Sequence, residues 1–108
     1  MLLLHTTGAK SGVERVNPVM YLDDGGRRFV FASKAGAPTN PDWFHNLVAH
    51  PRVTLELGAE MFSATASVLE GEERDRVFAE QSARYPGFAV YAAKTDRAIP
   101  VVELTRID

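Results

Sequence analysis

A seven-residue stretch near the start of the chain carries groups that suit a phosphate ligand. Residues 6–12 have the sequence Thr-Thr-Gly-Ala-Lys-Ser-Gly, with two glycines, three hydroxyls and one lysine. Glycines let the backbone approach a ligand and turn its N–H groups toward it, and hydroxyls and ammonium groups donate hydrogen bonds to phosphate oxygens. Taken alone, the loop fits two interpretations equally: a phosphate site built on Lys10 and Ser11, or a polar turn with a solvated lysine.

The spacing of this loop excludes two common nucleotide-binding motifs, because neither G-x-x-x-x-G-K-[ST] nor G-x-G-x-x-G occurs in it. The distribution of charge favours an anion site. Residues 1–34, with Arg15 and Lys34 among them, hold five basic and three acidic groups, whereas residues 35–108 hold seven basic and eleven acidic groups. The net charge of −2 argues against nucleic-acid binding, so we expect a local site for a small anion and no nucleic-acid partner.

A second feature that suits an anion is the sequence Asn-Pro-Asp-Trp at residues 40–43. Asn40 is predicted to cap the start of a helix, with Pro41 in the first turn and Asp42 complementing the helix dipole. Because a helix N-terminus also attracts anions, Asn40 is a candidate ligand as well as a candidate cap. Trp43 suits either the core or a position beside a flat cofactor.

Three aromatic residues, Tyr85, Phe88 and Tyr91, follow at a spacing of three. This spacing predicts that they share one helix face, where a packing stripe is the favoured interpretation and a substrate pocket the alternative. The chain has no cysteine and its histidines lack the spacing of metal ligands, so we expect neither a disulfide nor a metal site. No stretch approaches the length of a membrane-spanning helix, and the missing cysteines are compatible with the cytoplasm.

The apolar patterning predicts a mostly β, α+β domain that spans residues 1–108. Six strands with two or three helices in so short a chain favour an antiparallel barrel with helices at its ends. The apolar residues 1–4 are typical of a strand that begins without a preceding turn or loop. We therefore expect further chain before residue 1 in the natural protein or its relatives. The predicted strands cover residues 2–6, 15–22, 28–33, 53–57, 62–68 and 99–107, and the predicted helices cover residues 40–50, 70–84 and 88–94.

Together these motifs resemble the deazaflavin-dependent nitroreductase family, actinobacterial quinone and nitro reductases that use coenzyme F420. Each motif alone is weak, but the combination extends over nearly the whole chain. The matching segments are LLHTTGAKSG at residues 3–12, RVNP at 15–18, ASKAG at 32–36, NPDWFHNL at 40–47, YP at 85–86 and TDRAIP at 95–100.

The resemblance implies a split β-barrel like that of the flavin-reductase-like pyridoxamine-phosphate oxidases. It implies coenzyme F420 as the cofactor, with FMN as the alternative that this fold class often binds. It places Lys10, Ser11, Arg15, Asn17 and Pro18 on the phosphate and polyglutamate side of the cofactor. The residues expected to border the remainder of the cofactor are Met20, Ala32, Ser33, Lys34, Asn40, Trp43, Asn46 and Phe88.

The resemblance also implies hydride transfer from the reduced deazaflavin to a quinone, a nitro compound or another electron-poor acceptor. Ser33, Tyr85 and Tyr91 are the implied catalytic residues. Met20 and Phe88 stand where the nitroreductase itself carries tyrosines, so we expect the change to affect nitroimidazole reduction more than cofactor binding. The alternative hypothesis is a module that carries F420 or FMN without turning it over.

Two further expectations concern partners and location. Split barrels of this kind often dimerise, so a homodimer is a candidate assembly. Some relatives carry an N-terminal segment linked to membrane association, so the expected location is cytoplasmic, with peripheral membrane contact as an option where such a segment is present.

Overall fold

Alternating apolar and polar residues form seven antiparallel strands in the computed structural model, which describes residues 1–107. Successive side chains of a strand point to opposite faces of the sheet, so Leu2 and Leu4 are buried while Leu3 between them is exposed. The strands are β1 (Leu2–Thr7), β2 (Glu14–Val19), β3 (Tyr21–Asp24), β4 (Arg27–Phe31), β5 (Arg52–Leu57), β6 (Glu60–Val68) and β7 (Val101–Arg106).

The strands form one sheet in the order β2-β1-β5-β6-β7-β4-β3. Strands β2 and β3 occupy opposite edges, although Met20 alone separates them in the chain. The sheet must therefore curl until its two edges approach each other at Met20, which produces a split β-barrel. The predicted fold class is confirmed, with seven strands where the sequence pattern indicated six.

The additional strand comes from the predicted strand at residues 15–22, which the structure divides at Met20. Val19 ends β2 and pairs with Leu2, whereas Tyr21 begins β3 and pairs with Val30 on the other side of the barrel. The two-residue alternation continues through the break, so the sequence pattern does not reveal the change of partner. Pro18 was expected at a bulge or edge, and it lies in the edge strand β2, where a missing N–H is tolerated.

Three α-helices cover the barrel, as predicted: α1 (Asp42–Ala49), α2 (Gly71–Arg84) and α3 (Gly87–Ala93). The prediction that Asn40 caps α1 is wrong. Pro41 is the N-cap residue, and the Asn40 side chain accepts a hydrogen bond from Arg97. Within residues 1–107, no helix is both long enough and apolar enough to cross a membrane.

The predicted aromatic stripe is divided between two helices. Tyr85 is the C-cap residue of α2 and is 44% exposed, whereas Phe88 and Tyr91 both lie on α3. Pro86 separates the two helices, so the regular spacing of three does not correspond to one continuous helix. The prediction of a shared face therefore holds for Phe88 and Tyr91 and is wrong for Tyr85.

Two clusters of buried side chains form the core. One lies inside the barrel against α1 and includes Trp43 and Leu47, and the other lies under α2 and α3 and includes Phe31 and Phe88. The rings of Phe31 and Phe88 meet edge to face with centroids 5.6 Å apart. Because burying a large apolar side chain contributes about 1.5–3 kcal/mol, Trp43 and Phe88 are fixed in place by the core.

Candidate functional site

The loop between β1 and β2, residues 8–12, folds tightly on itself. The Gly8 N–H donates to the Val13 carbonyl at 2.8 Å, and the Gly12 N–H donates to the Gly8 carbonyl at 3.0 Å. A Cβ at Gly8 would come within 2.4 Å of Ser11 Oγ, so a larger residue there would require the Ser11 side chain to rotate. The backbone N–H groups of Lys10 and Ser11 make no hydrogen bond within residues 1–107, which leaves both available to a ligand.

One side chain attaches this loop to helix α1. The Ala9 N–H donates to Asn46 Oδ1 at 2.9 Å, and Asn46 Nδ2 donates to Thr6 Oγ1 at 3.2 Å. Asn46 is 7% exposed, so its amide joins the loop, the end of β1 and α1 in a site with little competing water. Asn46 therefore links the loop to a helix that lies 37 residues further along the chain.

A cavity of about 830 Å³, which we call the polar cavity, opens beside the loop. Lys10 and Arg15 contribute two exposed cations, and neither forms an ion pair within residues 1–107. Two free cations with two free backbone N–H groups form a donor set that suits phosphate and carboxylate oxygens. The cavity is lined by Gly8, Ala9, Lys10, Ser11, Arg15, Val16, Asn17, Asp42, His45 and Asn46.

The chain between β4 and α1, residues 32–40, follows a strained path. Lys34 and Ala35 have φ values of 45° and 52°, in the left-handed region, where each L side chain costs about 1–2 kcal/mol. Gly36 follows with φ of 79°, and a Cβ there would lie 2.8 Å from the Tyr91 carbonyl oxygen. Such strain persists only where surrounding contacts hold it in place.

The side chain of Arg97 supplies those contacts. Its Nε donates to the Ala37 carbonyl at 3.0 Å, and its Nη2 donates to the Ser33 carbonyl at 2.8 Å. Its Nη1 donates to the Ala32 carbonyl at 3.1 Å and to Asn40 Oδ1 at 2.7 Å. Desolvation by burial lowers the pKa of Arg97, and no carboxylate within residues 1–107 pairs with it. The charge of this guanidinium is therefore directed at three backbone oxygens and the side-chain oxygen of Asn40.

A second cavity of about 370 Å³, which we call the apolar cavity, adjoins the first and shares Asn17 with it. Its walls are mostly carbon, and the Phe88 and Tyr91 rings meet edge to face with centroids 5.4 Å apart. A flat, partly apolar group is the kind of ligand such walls accept. The cavity is lined by Met1, Asn17, Pro18, Val19, Met20, Phe31, Ser33, Lys34, Ala35, Pro41, Trp43, Phe88 and Tyr91.

An ion-pair cluster braces the β1–β2 hairpin close to the loop. His5 Nδ1 lies 3.1 Å from a Glu14 carboxylate oxygen, and its Nε2 hydrogen-bonds the Glu56 carboxylate on the other side. The hydrogen bond with Glu56, followed by the one with Glu14, raises the pKa of His5, although desolvation opposes them. Protonation of His5 therefore ties β2 and β5 to the outer face of β1.

The structure gathers most of the residues singled out in the sequence around these two cavities. Ala32 and Asn40 do not line either one, and their oxygens accept hydrogen bonds from Arg97 instead. Tyr85 lines a separate cavity of about 270 Å³. The polar cavity collects Lys10, Ser11, Arg15, Asn17 and Asn46, and the apolar cavity collects Asn17, Pro18, Met20, Ser33, Lys34, Trp43, Phe88 and Tyr91.

Arg97 is the residue beside the site that sequence reasoning did not single out. It belongs to the TDRAIP segment at residues 95–100, but a single arginine in a polar loop carries no periodicity or motif. The signal that could have found it is the need of a buried loop for hydrogen-bond donors. That need becomes visible only when residues 32–40 and Arg97 are in contact.

A family model of the F420H2-dependent quinone reductases matches residues 1–106. The chain belongs to this family. It is accordingly an oxidoreductase whose cofactor is coenzyme F420, and both predictions are confirmed.

Individual relatives agree with this family assignment. An F420H2-dependent quinone reductase from Mycobacterium tuberculosis is 40% identical over 111 residues, which cover 97% of this chain and 72% of that protein. A solved F420H2-dependent reductase is 41% identical, with a TM-score of 0.85 over 95% of this chain and 91% of its own. A further structure, described as a domain-swapped dimer, is 41% identical with a TM-score of 0.86, covering 95% and 78% of the two chains.

The fold extends to more distant proteins. A protein of the pyridoxinephosphate oxidase family from Clostridium acetobutylicum is 14% identical and has a TM-score of 0.63, over 97% of this chain and 73% of that one. At this identity the likeness shows the fold alone.

The residues present fit a cofactor of the F420 type. A deazaflavin with a phosphate-bearing tail has a flat ring at one end and anionic groups at the other. The two adjoining cavities fit these two ends, because Lys10 and Arg15 line one, whereas aromatic side chains with the single cation Lys34 line the other. Asn17 lines both cavities, so they lie side by side on the same face of the barrel.

Proposed function

We propose that this protein reduces quinones with F420H2, with the anionic tail of the cofactor in the polar cavity and its ring in the apolar cavity. The observation that carries this proposal is the junction of a cation-lined cavity and an aromatic-lined cavity at Asn17. Either cavity alone would fit many small ligands. Their contact, in a chain of the F420H2-dependent quinone reductase family, supports one elongated cofactor.

In the polar cavity, the task of the protein is to bind and orient the tail. Lys10 and Arg15 provide charge, and the free N–H groups of Lys10 and Ser11 provide directed donors. Asn17 sits between the cavities, and Asn46 holds the loop at the distance from α1 that this arrangement needs. Pro18 follows Asn17 on the edge strand β2 and forms part of the apolar wall.

In the apolar cavity, the chemistry supplied by the bound cofactor is hydride donation. The protein's contribution there is to position the ring and exclude water. Trp43 and Phe88, held by the two halves of the core, present fixed apolar surfaces, and Met20 adds an adaptable one. Ala32 and Asn40 support this wall through Arg97 rather than by lining it.

The acceptor gains a hydride and a proton, and it needs a hydrogen-bond donor where negative charge develops. Ser33 and Tyr91 carry the hydroxyl groups that line the apolar cavity together with the ring-binding residues. Tyr85 lines the neighbouring cavity, which shares Met20 with the apolar cavity, and we assign it to the acceptor's path of approach. We propose Ser33 and Tyr91 as the donors to the acceptor oxygen, and Lys34 as a nearby positive charge.

Nitro compounds are the second acceptor class to consider, and we infer that they are poorer substrates than quinones. Met20 and Phe88 have no hydroxyl, so the apolar cavity offers fewer donors than a cavity with tyrosines at both positions. A nitro group that accepts a hydride develops charge on two oxygens, whereas a quinone develops it on one at a time. The sparse donor set therefore favours the quinone.

The direct experiment is to mix the purified protein with F420H2 and menadione and to follow the deazaflavin absorbance. We expect oxidation well above the protein-free rate, and slower oxidation when a nitroimidazole replaces menadione. Binding of F420 without turnover of any quinone would indicate a carrier module instead. Binding of FMN with a lower dissociation constant than that of F420 would contradict the proposed division of the two cavities.

We also infer that the chain forms a homodimer. The support is a solved structure that is 41% identical and is described as a domain-swapped dimer. Light scattering coupled to size-exclusion chromatography tests this inference, because a particle of 11.9 kDa would be the monomer.

A further inference from the structure

We propose that Arg97 is a positioning residue of the cofactor site: its guanidinium holds residues 32–40 in the strained turn that presents Ser33 and Lys34 to the apolar cavity. The inference depends on the proposed function for the identity of the ligand. The hydrogen bonds of Arg97 that support the inference are all made within this chain and do not depend on a ligand.

Residues 32–40 have few hydrogen bonds of their own. The Gly36 N–H donates to the Ser33 carbonyl at 2.9 Å, and the Ala37 N–H donates to the Lys34 carbonyl at 3.0 Å. Ala32 is joined to β7 by its N–H, which donates to the Pro100 carbonyl at 3.0 Å. Two local bonds are a small set for a turn that contains two non-glycine residues in the left-handed region.

Arg97 contributes four hydrogen bonds to the same residues, at 2.7–3.1 Å. An arginine has five N–H donors in a rigid planar fork, so it can serve several differently placed oxygens at once, which a lysine cannot do. The acceptors lie on both sides of the turn: Ala32 and Ser33 precede it, and Ala37 and Asn40 follow it. The guanidinium therefore clamps the two ends of the turn together.

The clamp acts on the cavity wall through the backbone. Ser33 and Lys34 both line the apolar cavity, and Lys34 Nζ donates to Thr39 Oγ1 at 3.3 Å within the same segment. If the clamp is removed, the buried carbonyl of Ala32 loses a charged donor and the turn can relax from its left-handed conformation. Both lining side chains would then move together, although Arg97 itself does not line either cavity.

Arg74 offers a matched control. It is also a partly buried arginine that holds a backbone oxygen, because its Nε and Nη2 donate to the Ile99 carbonyl at 3.1 and 2.7 Å. It packs over the Phe78 ring at 4.7 Å and lines neither cavity. Its replacement should cost stability while leaving all four hydrogen bonds between Arg97 and residues 32–40 in place.

The test compares Arg97→Ala, Arg97→Lys and Arg74→Ala by F420 binding, thermal unfolding and chemical rescue. We expect Arg97→Ala to raise the F420 dissociation constant about tenfold or more, since hydrogen bonds of charged groups are lost. Arg97→Lys should recover part of the affinity, and added methylguanidinium should restore binding in Arg97→Ala. Arg74→Ala should lower the melting temperature and leave the dissociation constant within about twofold of the wild-type value. An unchanged constant in Arg97→Ala, or an equal increase in both alanine variants, would overturn the proposal.

Amide hydrogen exchange gives a readout that needs no cofactor. In Arg97→Lys, the Gly36 and Ala37 amides should exchange faster than in the wild type, while the β5–β6 amides keep their protection. Unchanged exchange at these two amides would overturn the positioning role even if binding were altered. Failure of the wild-type protein to bind F420 would instead contradict the proposed function, and the exchange experiment would still decide the role of Arg97.

Discussion

The two backbone segments that border the site differ in how their shapes are held. The loop of residues 8–12 closes with its own hydrogen bonds, and its tightest approach to a glycine involves the rotatable Ser11 side chain. Residues 32–40 instead contain Lys34 and Ala35 in the left-handed region and depend on four hydrogen bonds from Arg97. The first segment is largely self-contained, whereas the second is held by the rest of the fold.

A common principle lies behind this difference, because each segment is attached to the barrel by one distant polar side chain. Asn46 makes a single bond to the first segment, whereas Arg97 makes four to the second. The two segments are also expected to border different parts of the cofactor: residues 8–12 the anionic tail, and residues 32–40 the ring. An anionic tail tolerates some freedom in its partners, while a hydride donor and acceptor must be aligned closely.

The largest effect should come from filling the space at Gly36. Gly36→Ala places a Cβ 2.8 Å from the Tyr91 carbonyl oxygen at a φ of 79°, so we expect a loss of about 2–4 kcal/mol in the free energy of unfolding. Gly58→Ala is the matched control, because φ is 62° there and nothing lies within 4 Å of the added Cβ.

Chemical denaturation of both variants, with Gly8→Ala beside them, checks this difference. At Gly8 the clashing atom is the rotatable Ser11 Oγ, so we expect a smaller loss than at Gly36. If Gly8→Ala were as destabilising as Gly36→Ala, the contrast between the two segments would be wrong.

Removal of the loop cation should affect binding more than folding. Lys10→Ala should weaken F420 binding by about 1.5–3 kcal/mol if the ammonium group contacts the phosphate, and it should leave the melting temperature nearly unchanged. Arg76→Ala removes a comparable exposed cation, which pairs with Asp24. Because Arg76 lines neither cavity, its removal should not alter binding. Fluorescence titration of the two variants decides between a phosphate site and a solvated turn.

Loss of the single bond between α1 and the loop should have an intermediate effect on stability. Asn46→Ala leaves the Ala9 N–H and the Thr6 hydroxyl without their partner, and we expect a loss of about 1–2 kcal/mol in the free energy of unfolding. His45→Ala, at the exposed neighbouring position, is the control. Faster amide exchange at Ala9 with unchanged exchange at Gly36 would sharpen the contrast, since it would show that the two segments are held independently.

The smallest effect should be a pH dependence at the base of the first segment. The folded-state pKa of His5 is raised above its ordinary value of 6.5, so its ion pairs stabilise the protein below that pH. This contribution should be lost as the pH rises through the raised pKa, and it should amount to less than about 1 kcal/mol because the pairs are partly exposed. His5→Gln should remove that part of the pH dependence in denaturation curves. A slope that persists in the variant would assign it to other groups.

The sequence predicted the helices and strands but not which strands pair with each other. Alternation located the strands, and helical spacing with proline and glycine breakers located the three helices to within a few residues. The sequence did not show that residues 15–22 divide into two strands at Met20. The apolar and polar residues alternate in the same way in both halves, although their partner strands lie on opposite sides of the barrel. Tyr85 was correctly placed between two helices, but its spacing of three from Phe88 wrongly suggested that the two residues share one helix face.

By itself, the sequence determined the family and the residue types available to the site: a glycine-containing loop with Lys10 and Arg15, and a set of aromatic residues. Only the tertiary structure decided how these parts are held. Closure of the sheet brings two cavities together at Asn17, and Arg97 reaches across 57 residues of chain to Asn40. Local sequence specifies turns and side-chain types, but a buried backbone oxygen can be satisfied from anywhere in the chain, and the donor is known only once the fold is closed.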